Sequence, residues 1–545
     1  MKKSATLIDE LYSIRNKFGK AEIERKIYLL QNINSEFIKG KNALQLFYDT
    51  ILFLIAYPEN KMLYSLANQS LQKLEQSVSS AEKLQYSLYN SGVTKSSVCA
   101  AFSFEIVKWL RQKHPLDIRL VSLEAADEQI RSILTVVMQK VETEKMQETK
   151  AAWKAWIENS LREGEDLLDG FINIFENSTL RPEVKDELWN TIGINTEIDF
   201  SSHCSLSGKL VQPYFHRSII RKLSKQVEFK PKKVKLTTAE AEQIIDSSRM
   251  ILIRQLREID PISFTYPDGV VYYHLQRGYS FALVNMIPQR QVPNDCYLGY
   301  TVFKNGLPVA YAGSWIMFDS SRIGLNVYPY YRGGESQYIF QLVLQVHAKV
   351  FGLKRFTVDA YQIGKENYDG IQSGAFWVYY KAGFRPIEKI QKELAAAEEI
   401  KIKTTTGYRS PITVLKKLAD SRMELILNKN ALSFDAVDLS DIYAAVLKKQ
   451  YKNNRMLAEK GKAMKLATIL GIKKGNEAPM NYILKNWALL LLYKEKELQN
   501  NRLLKKDLNL LFKLKAAGLE NDYIVAMSKA KAFRNYLQQL YNEFH

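Results

Sequence analysis

Hydrophobic periodicity changes twice along this chain, and those changes limit its architecture more than any other feature. Up to about residue 250, apolar residues recur at i, i+3, i+4 and i+7, as in IDELYSIRNKFGKAEIERKIYLLQNI and ALQLFYDTILFLIAY. That is the period of an amphipathic helix. VSLEAADEQIRSILTVVMQKVETEKM and TKAAWKAWIENSLREGEDLLDGFINIFEN continue it, with Pro58 and Pro115 as punctuation. From about 264 to 390 the texture becomes that of strands: YSFALVNMI, CYLGYTVF and LPVAYAGSWIMF are rich in β-branched and aromatic residues. After 391 the helical pattern returns, lysine-rich, in MELILNKNALSFDAVDLSDIYAAVLKKQYKNNRM and YILKNWALLLLYKEKELQNNRLLKKDLNLLFKLKAAG. The expected fold class is therefore α+β, a mixed sheet with helices flanked by N-terminal and C-terminal all-helical regions. The expected divisions are 1–198 (helical), 199–263 (mixed linker and helix), 264–390 (sheet-bearing) and 391–545 (basic, helical).

Hydrophobic content of 46% and aromatic content of 11% are ample for packed cores, so the chain is not a disordered polyelectrolyte. Its three cysteines, Cys99, Cys204 and Cys296, stand far apart with no CxxC or Cys/His spacing. Neither a disulfide framework nor a zinc site is expected, and no metal. Sparse unpaired cysteines fit a reducing compartment. The N-terminus MKKSATLIDELYSIRNKFGK lacks the apolar stretch of a secretory signal. The longest apolar runs, ILFLIAY (51–57) and WALLLLY (487–493), are short of the about 20 residues that span a bilayer. The expectation is a cytoplasmic protein with no membrane partner.

The net charge is +19, and it is uneven: 28 Lys and Arg face 16 Asp and Glu after residue 390, against 49 and 42 before it. The C-terminal third suits either an acidic partner such as RNA or a solvated lysine-rich surface. His203 and His216 lie in the mixed stretch FSSHCSLSGKLVQPYFHRSIIRK and read as surface or satisfied loop histidines; KPKKVK (230–235) reads as a basic linker.

Within the strand-rich block, Asn305-Gly306 signals a hairpin, because both residues tolerate positive φ. IGLNVYPY reads as a strand and SQYIFQLVLQVHAKVFG as a helix ending at Gly352. Between them lies YRGGES. A helix N-terminus presents unbonded N–H groups and partial positive charge, and glycine lets an anion approach the backbone. Gly333 and Gly334 supply the approach, Arg332 a bidentate charged donor, and Ser336 a hydroxyl suited to the N-cap. The segment reads equally as a simple turn.

KRFTVDAYQIG follows as a strand and SGAFWVYYKAGFRP as a short helix, placing Tyr379 four residues before Gly383-Phe384. Together these elements resemble the GNAT superfamily of N-acyltransferases. Val327, Pro329, Tyr331, Arg332 and Gly333 match the turn of the form V-x-P-x-Y-R-G-x-G-x-G, and Tyr379, Gly383 and Phe384 match the later Y-x-x-x-G-F. Glu335 and Gln337 stand where that pattern has glycine, then glycine or alanine, and Gln372 where it often has asparagine. The resemblance covers about 264 to 390 and implies a GNAT-like sheet that binds acyl-CoA, most simply acetyl-CoA. It implies that Val327, Arg332, Gly333, Gly334 and Ser336 hold the coenzyme and that Tyr379 is the general acid. It further implies that a backbone amide near Asn326 or Val327 polarises the thioester, and that an amine of unknown identity accepts the acyl group. Asp359, Glu366 and Asp369 are the candidate bases. The alternative is a non-catalytic binding or scaffold protein, its GNAT-like domain degenerate and its helices engaging protein or RNA.

Overall fold

The computed structural model describes residues 2–35, 38, 40–149, 152–200, 205–220, 229–472 and 478–544. Two sheets organise the chain. The smaller is antiparallel, in the order β1 (Ser97–Ala101), β3 (Ile194–Asp199), β2 (Ile118–Leu123). It has its own core, from Val98 to Phe200, joined by Met250 and Ile253. The N-terminal region is thus not all-helical. Its strands are five or six residues long, and only Ile118 of β2 is buried, which leaves no alternating pattern to read.

The larger sheet contains β4 (Lys232–Val234), β5 (Thr265–His274), β6 (Tyr279–Met286), β7 (Cys296–Lys304), β8 (Leu307–Met317), β9 (Ser320–Ile323), β10 (Asn326–Val327), β11 (Arg355–Val358), β12 (Arg385–Pro386) and β13 (Met423–Ile426). Its order is β12-β13-β11-β9-β8-β7-β6-β5-β4, with β10 also on β8. From β4 to β9 the pairing is antiparallel. The Asn305-Gly306 turn joins β7 to β8 with φ of 46° and 85°, as both residues permit. Asn305 is also buried, accepting from the Tyr214 N–H (2.9 Å) and donating to the carbonyls of Ala56 and Tyr214 (3.1 Å each). Every residue of β6 is buried, as for a strand covered on both faces.

Two boundaries move. The basic stretch 230–235 supplies β4, whose lysines mark the sheet's edge and discourage pairing with another chain. The region after 391 is not all-helical: β13 inserts between β11 and β12, so the boundary expected at 390 falls inside the sheet. Only Met423 of its four residues is buried, too little to show a period-2 signal. The main core runs continuously from Ile8 to Leu540, through the buried helix Lys41–Ala56 and the C-terminal helices. Among the described residues, no helix is long and apolar enough to cross a membrane.

Candidate functional site

The sheet opens at one place. β9 and β11 are parallel, with Arg355, Phe356 and Thr357 beside Ser320, Ser321 and Arg322. Past Ile323 the β9 path bulges at Gly324-Leu325 and resumes as β10, still on β8 through Asn326–Tyr311 and Val327–Ala310. β11 stops at Val358 and turns into the helical turn Ala360–Ile363, so among the described residues β10 has no strand on its other side. The run IGLNVYPY is thus a broken strand followed by a 3-10 turn, Pro329–Tyr331.

Two tyrosines hold the bulge: the Tyr300 hydroxyl donates to the Gly324 carbonyl, and the Leu325 N–H donates to the Tyr379 hydroxyl (3.2 Å). The Tyr328 N–H donates to the Val309 carbonyl (3.1 Å). By strand alternation the Val327 N–H then points away from β8, into the opening.

Beyond β10 the chain passes Gly333 (φ 86°) and enters the helix Ser336–Phe351. The N-cap position falls to Glu335, one residue before the expected Ser336, and the Glu335 side chain does not cap the helix. The first-turn amides therefore keep their partial positive charge uncompensated. Arg332 is exposed, and no hydrogen bond or ion pair of its guanidinium is found among the described residues. A cavity of about 910 Å³ lies here, and Val327, Arg332, Gly333, Ser336 and Tyr379 all line it. Gly334 does not; a Cβ there would come within 2.9 Å of the Tyr57 ring, so it is glycine because Tyr57 packs on it. Tyr379 is 3% exposed, and burial pushes its phenol well above the ordinary range.

Glu335 turns inward and is fully buried. Its Oε1 accepts from Arg277 Nη2 (2.5 Å) and the Ile220 N–H (3.0 Å), and its Oε2 from the Tyr279 hydroxyl (3.0 Å). Arg277 Nη2 also lies 3.0 Å from His216 Nδ1, and the buried Lys304 Nζ donates to the Arg277 carbonyl. His216 is buried in its loop, not at the surface; His203 lies outside the described residues.

Burial, then the charges of Lys304 and Arg277, lower the His216 pKa from 6.5 to about 2. The unfolded chain binds this proton below pH 6.5 and the folded chain does not until about pH 2, so unfolding free energy rises with pH across that window. The expected slope from this residue is about 1.4 kcal/mol per pH unit. Urea melts of wild type and His216→Asn should diverge by that slope as pH falls below 6.5; parallel curves would refute the assignment.

Of the candidate bases, Asp369 lines the cavity, with Oδ2 3.5 Å from Arg257 Nη2. Asp359 pairs instead with Arg322 (3.4 Å), and Glu366 is exposed outside the lining. Gln372 is in the lining, donating to the Tyr368 hydroxyl (2.7 Å). Arg257, Glu258, Tyr311 and Tyr328 also line the cavity and were not visible as site residues in sequence. The Glu258 carboxylate is held by the Ser103 N–H (2.9 Å) and hydroxyl (2.7 Å), and burial raises its pKa. RQLREID carries no motif; its one local peculiarity, Leu256 at φ 52°, appears only in the backbone. Among the described residues no group of three or more His, Cys, Asp or Glu could hold a metal ion.

No protein-family model, curated protein or solved structure matches this chain.

Proposed function

We propose that this chain is an acyl-CoA-dependent N-acyltransferase, with acetyl-CoA the simplest donor and an amine as acceptor. The observation that carries the reading is the convergence, around one cavity where two strands part, of Arg332, uncapped first-turn amides, the Val327 N–H and the Tyr379 hydroxyl. The resemblance of YRGG and Y-x-x-x-G-F to the GNAT superfamily supports it independently. Glu335 does not oppose it, because its carboxylate is turned away and paired with Arg277.

In this reading the diphosphate of the coenzyme docks on Arg332 and the amides after Gly333. The pantetheine arm enters between β10 and β11. The Val327 N–H donates to the thioester carbonyl oxygen, where negative charge develops as the amine attacks. The amine proton passes to Glu258 through water, since burial raises the pKa of that carboxyl and so makes its carboxylate a stronger base. The C–S bond breaks and Tyr379 protonates the departing thiolate. Its hydroxyl accepts from Leu325, so its own hydrogen remains free to donate, and its raised pKa keeps it protonated at neutral pH.

Calorimetry of wild type with acetyl-CoA should show saturable heat, and a thiol-release assay with primary amines should show turnover. Tyr379→Phe should retain acetyl-CoA binding and lose about 100-fold in kcat, the contribution of a positioned acid. An absence of heat with every acyl-CoA tried removes the cofactor and the reading with it.

A further inference from the structure

One hydroxyl in the cavity wall is left incomplete by the protein. Tyr328 is 2% exposed and is among the residues lining the cavity, and its buried hydroxyl has no hydrogen-bond partner among the described residues. Buried polar atoms rarely persist unpaired unless a ligand or water completes them. The neighbours of this hydroxyl indicate what it lacks. Tyr311 on β8 is the diagonal partner of Tyr328 across the β8–β10 ladder, and their rings stack at 5.2 Å and 26°. Arg257 Nη1 donates to the Tyr311 hydroxyl (3.3 Å), which leaves the hydrogen of that phenol free to donate onward. Two phenol hydrogens and a guanidinium therefore gather in one wall. The carboxylate paired with that guanidinium is Asp369, Oδ2 3.5 Å from Arg257 Nη2 on a side chain that is 72% exposed.

We infer that Arg257, Tyr311 and Tyr328 form a carboxylate subsite, so that the acceptor is a small amine carrying a carboxylate, most simply an α-amino acid. A cluster of donors calls for a ligand that only accepts, and a planar carboxylate matches a guanidinium flanked by hydroxyls. At this wall a carboxylate fits better than a phosphate, because Asp369 Oδ2 stands 3.5 Å from Arg257 Nη2 and repels a dianion more than a monoanion; the diphosphate of the coenzyme docks apart from it, on Arg332. Asp369 and Glu258, which also lines the cavity, suit an ammonium instead. Glu258 and Arg257 line the same cavity, so groups that would hold an amine and a carboxylate share one chamber, as an amino acid carries both. This subsite has its own guanidinium, separate from the unpaired Arg332. Its role as an acceptor site rests on the transferase reading; its ability to bind a carboxylate does not.

The test uses the full chain and the standard L-amino acids, each against its α-carboxamide, by saturation-transfer NMR and calorimetry, with and without coenzyme A. Acetyl-CoA binding is measured on the same samples. At least one amino acid is expected to bind, its carboxamide about tenfold or more weaker. Arg257→Met and Tyr328→Phe should each weaken the acid by a similar factor and leave acetyl-CoA binding unchanged. Tyr328→Phe removes only an unpartnered oxygen, so it tests the subsite even if Arg257→Met folds poorly. Amino-acid binding without acetyl-CoA binding would sustain the subsite and remove the transferase reading. Acetyl-CoA binding with no amino acid bound, or with acid and amide bound equally, would overturn the subsite alone. Unchanged affinity in Tyr328→Phe would also overturn it.

Discussion

Arg332→Glu is expected to abolish calorimetrically measurable binding of acetyl-CoA while leaving thermal stability unchanged. The stability half follows from the position: Arg332 is exposed, and among the described residues its guanidinium makes no hydrogen bond or ion pair that a replacement would break. The binding half follows from charge. A charge-assisted hydrogen bond contributes about 1.5–3 kcal/mol, and reversing the sign adds repulsion from the diphosphate. Together these amount to roughly a 10²- to 10³-fold loss. Arg332→Lys should retain part of the affinity, since a point charge survives but the bidentate fork does not. Wild-type binding should also weaken with added salt, because the guanidinium is open to solvent. Undiminished binding by Arg332→Glu would mean that the diphosphate does not dock at this turn.

How far the site could be read in advance depended on how local its determinants were. The hairpin at Asn305-Gly306 and the helix ending at Gly352 follow from neighbouring residues, and both are present as expected. So are the turn at YRGG and the helix carrying Tyr379, whose cavity-facing residues lie within short spans of chain. What was hidden depends on distant partners. A carboxylate at Glu335 looks hostile to an anion in the sequence; its partner Arg277 lies 58 residues away, and only the fold turns the charge inward. Gly334 looks like part of the anion turn, yet its smallness answers to Tyr57, just past the end of the helix Lys41–Ala56. The break at Gly324-Leu325 is invisible in IGLNVYPY, because the hydroxyls that hold it come from β7 and from the helix Ala375–Lys381. Glu258 looks like one of many surface acids; its burial depends on Ser103, 155 residues earlier. Short strands escaped for another reason. β13 shows one buried residue in four, which carries no periodicity at all.

Glu335→Ala is expected to produce the largest stability loss of any single substitution near the site, about 3–5 kcal/mol, the usual cost of removing one partner of a buried ion pair. The carboxylate is fully buried, and every bond it makes is to a group that would lose its acceptor: the Arg277 guanidinium, the Tyr279 hydroxyl and the Ile220 N–H. The remaining cluster would hold the Arg277 guanidinium beside Lys304 and His216, both of whose pKa values burial already lowers, with no negative charge to offset it. Arg277 is 18% exposed on its side chain and can recover some hydration, which favours the lower end of the range. Glu335→Gln should cost less, because the amide oxygen still accepts from Arg277. Removing both charges in Glu335→Ala/Arg277→Met should recover part of the loss, giving a coupling of at least about 1 kcal/mol in a double-mutant cycle from urea melts. The same cluster sets the path of the chain between Gly333 and the first helical amides, so Glu335→Ala should weaken acetyl-CoA binding even though its carboxylate never faces the cavity. A destabilisation below about 1 kcal/mol would place Glu335 among ordinary surface acids, where losses of that size are the rule, and would return its carboxylate to the mouth of the cavity.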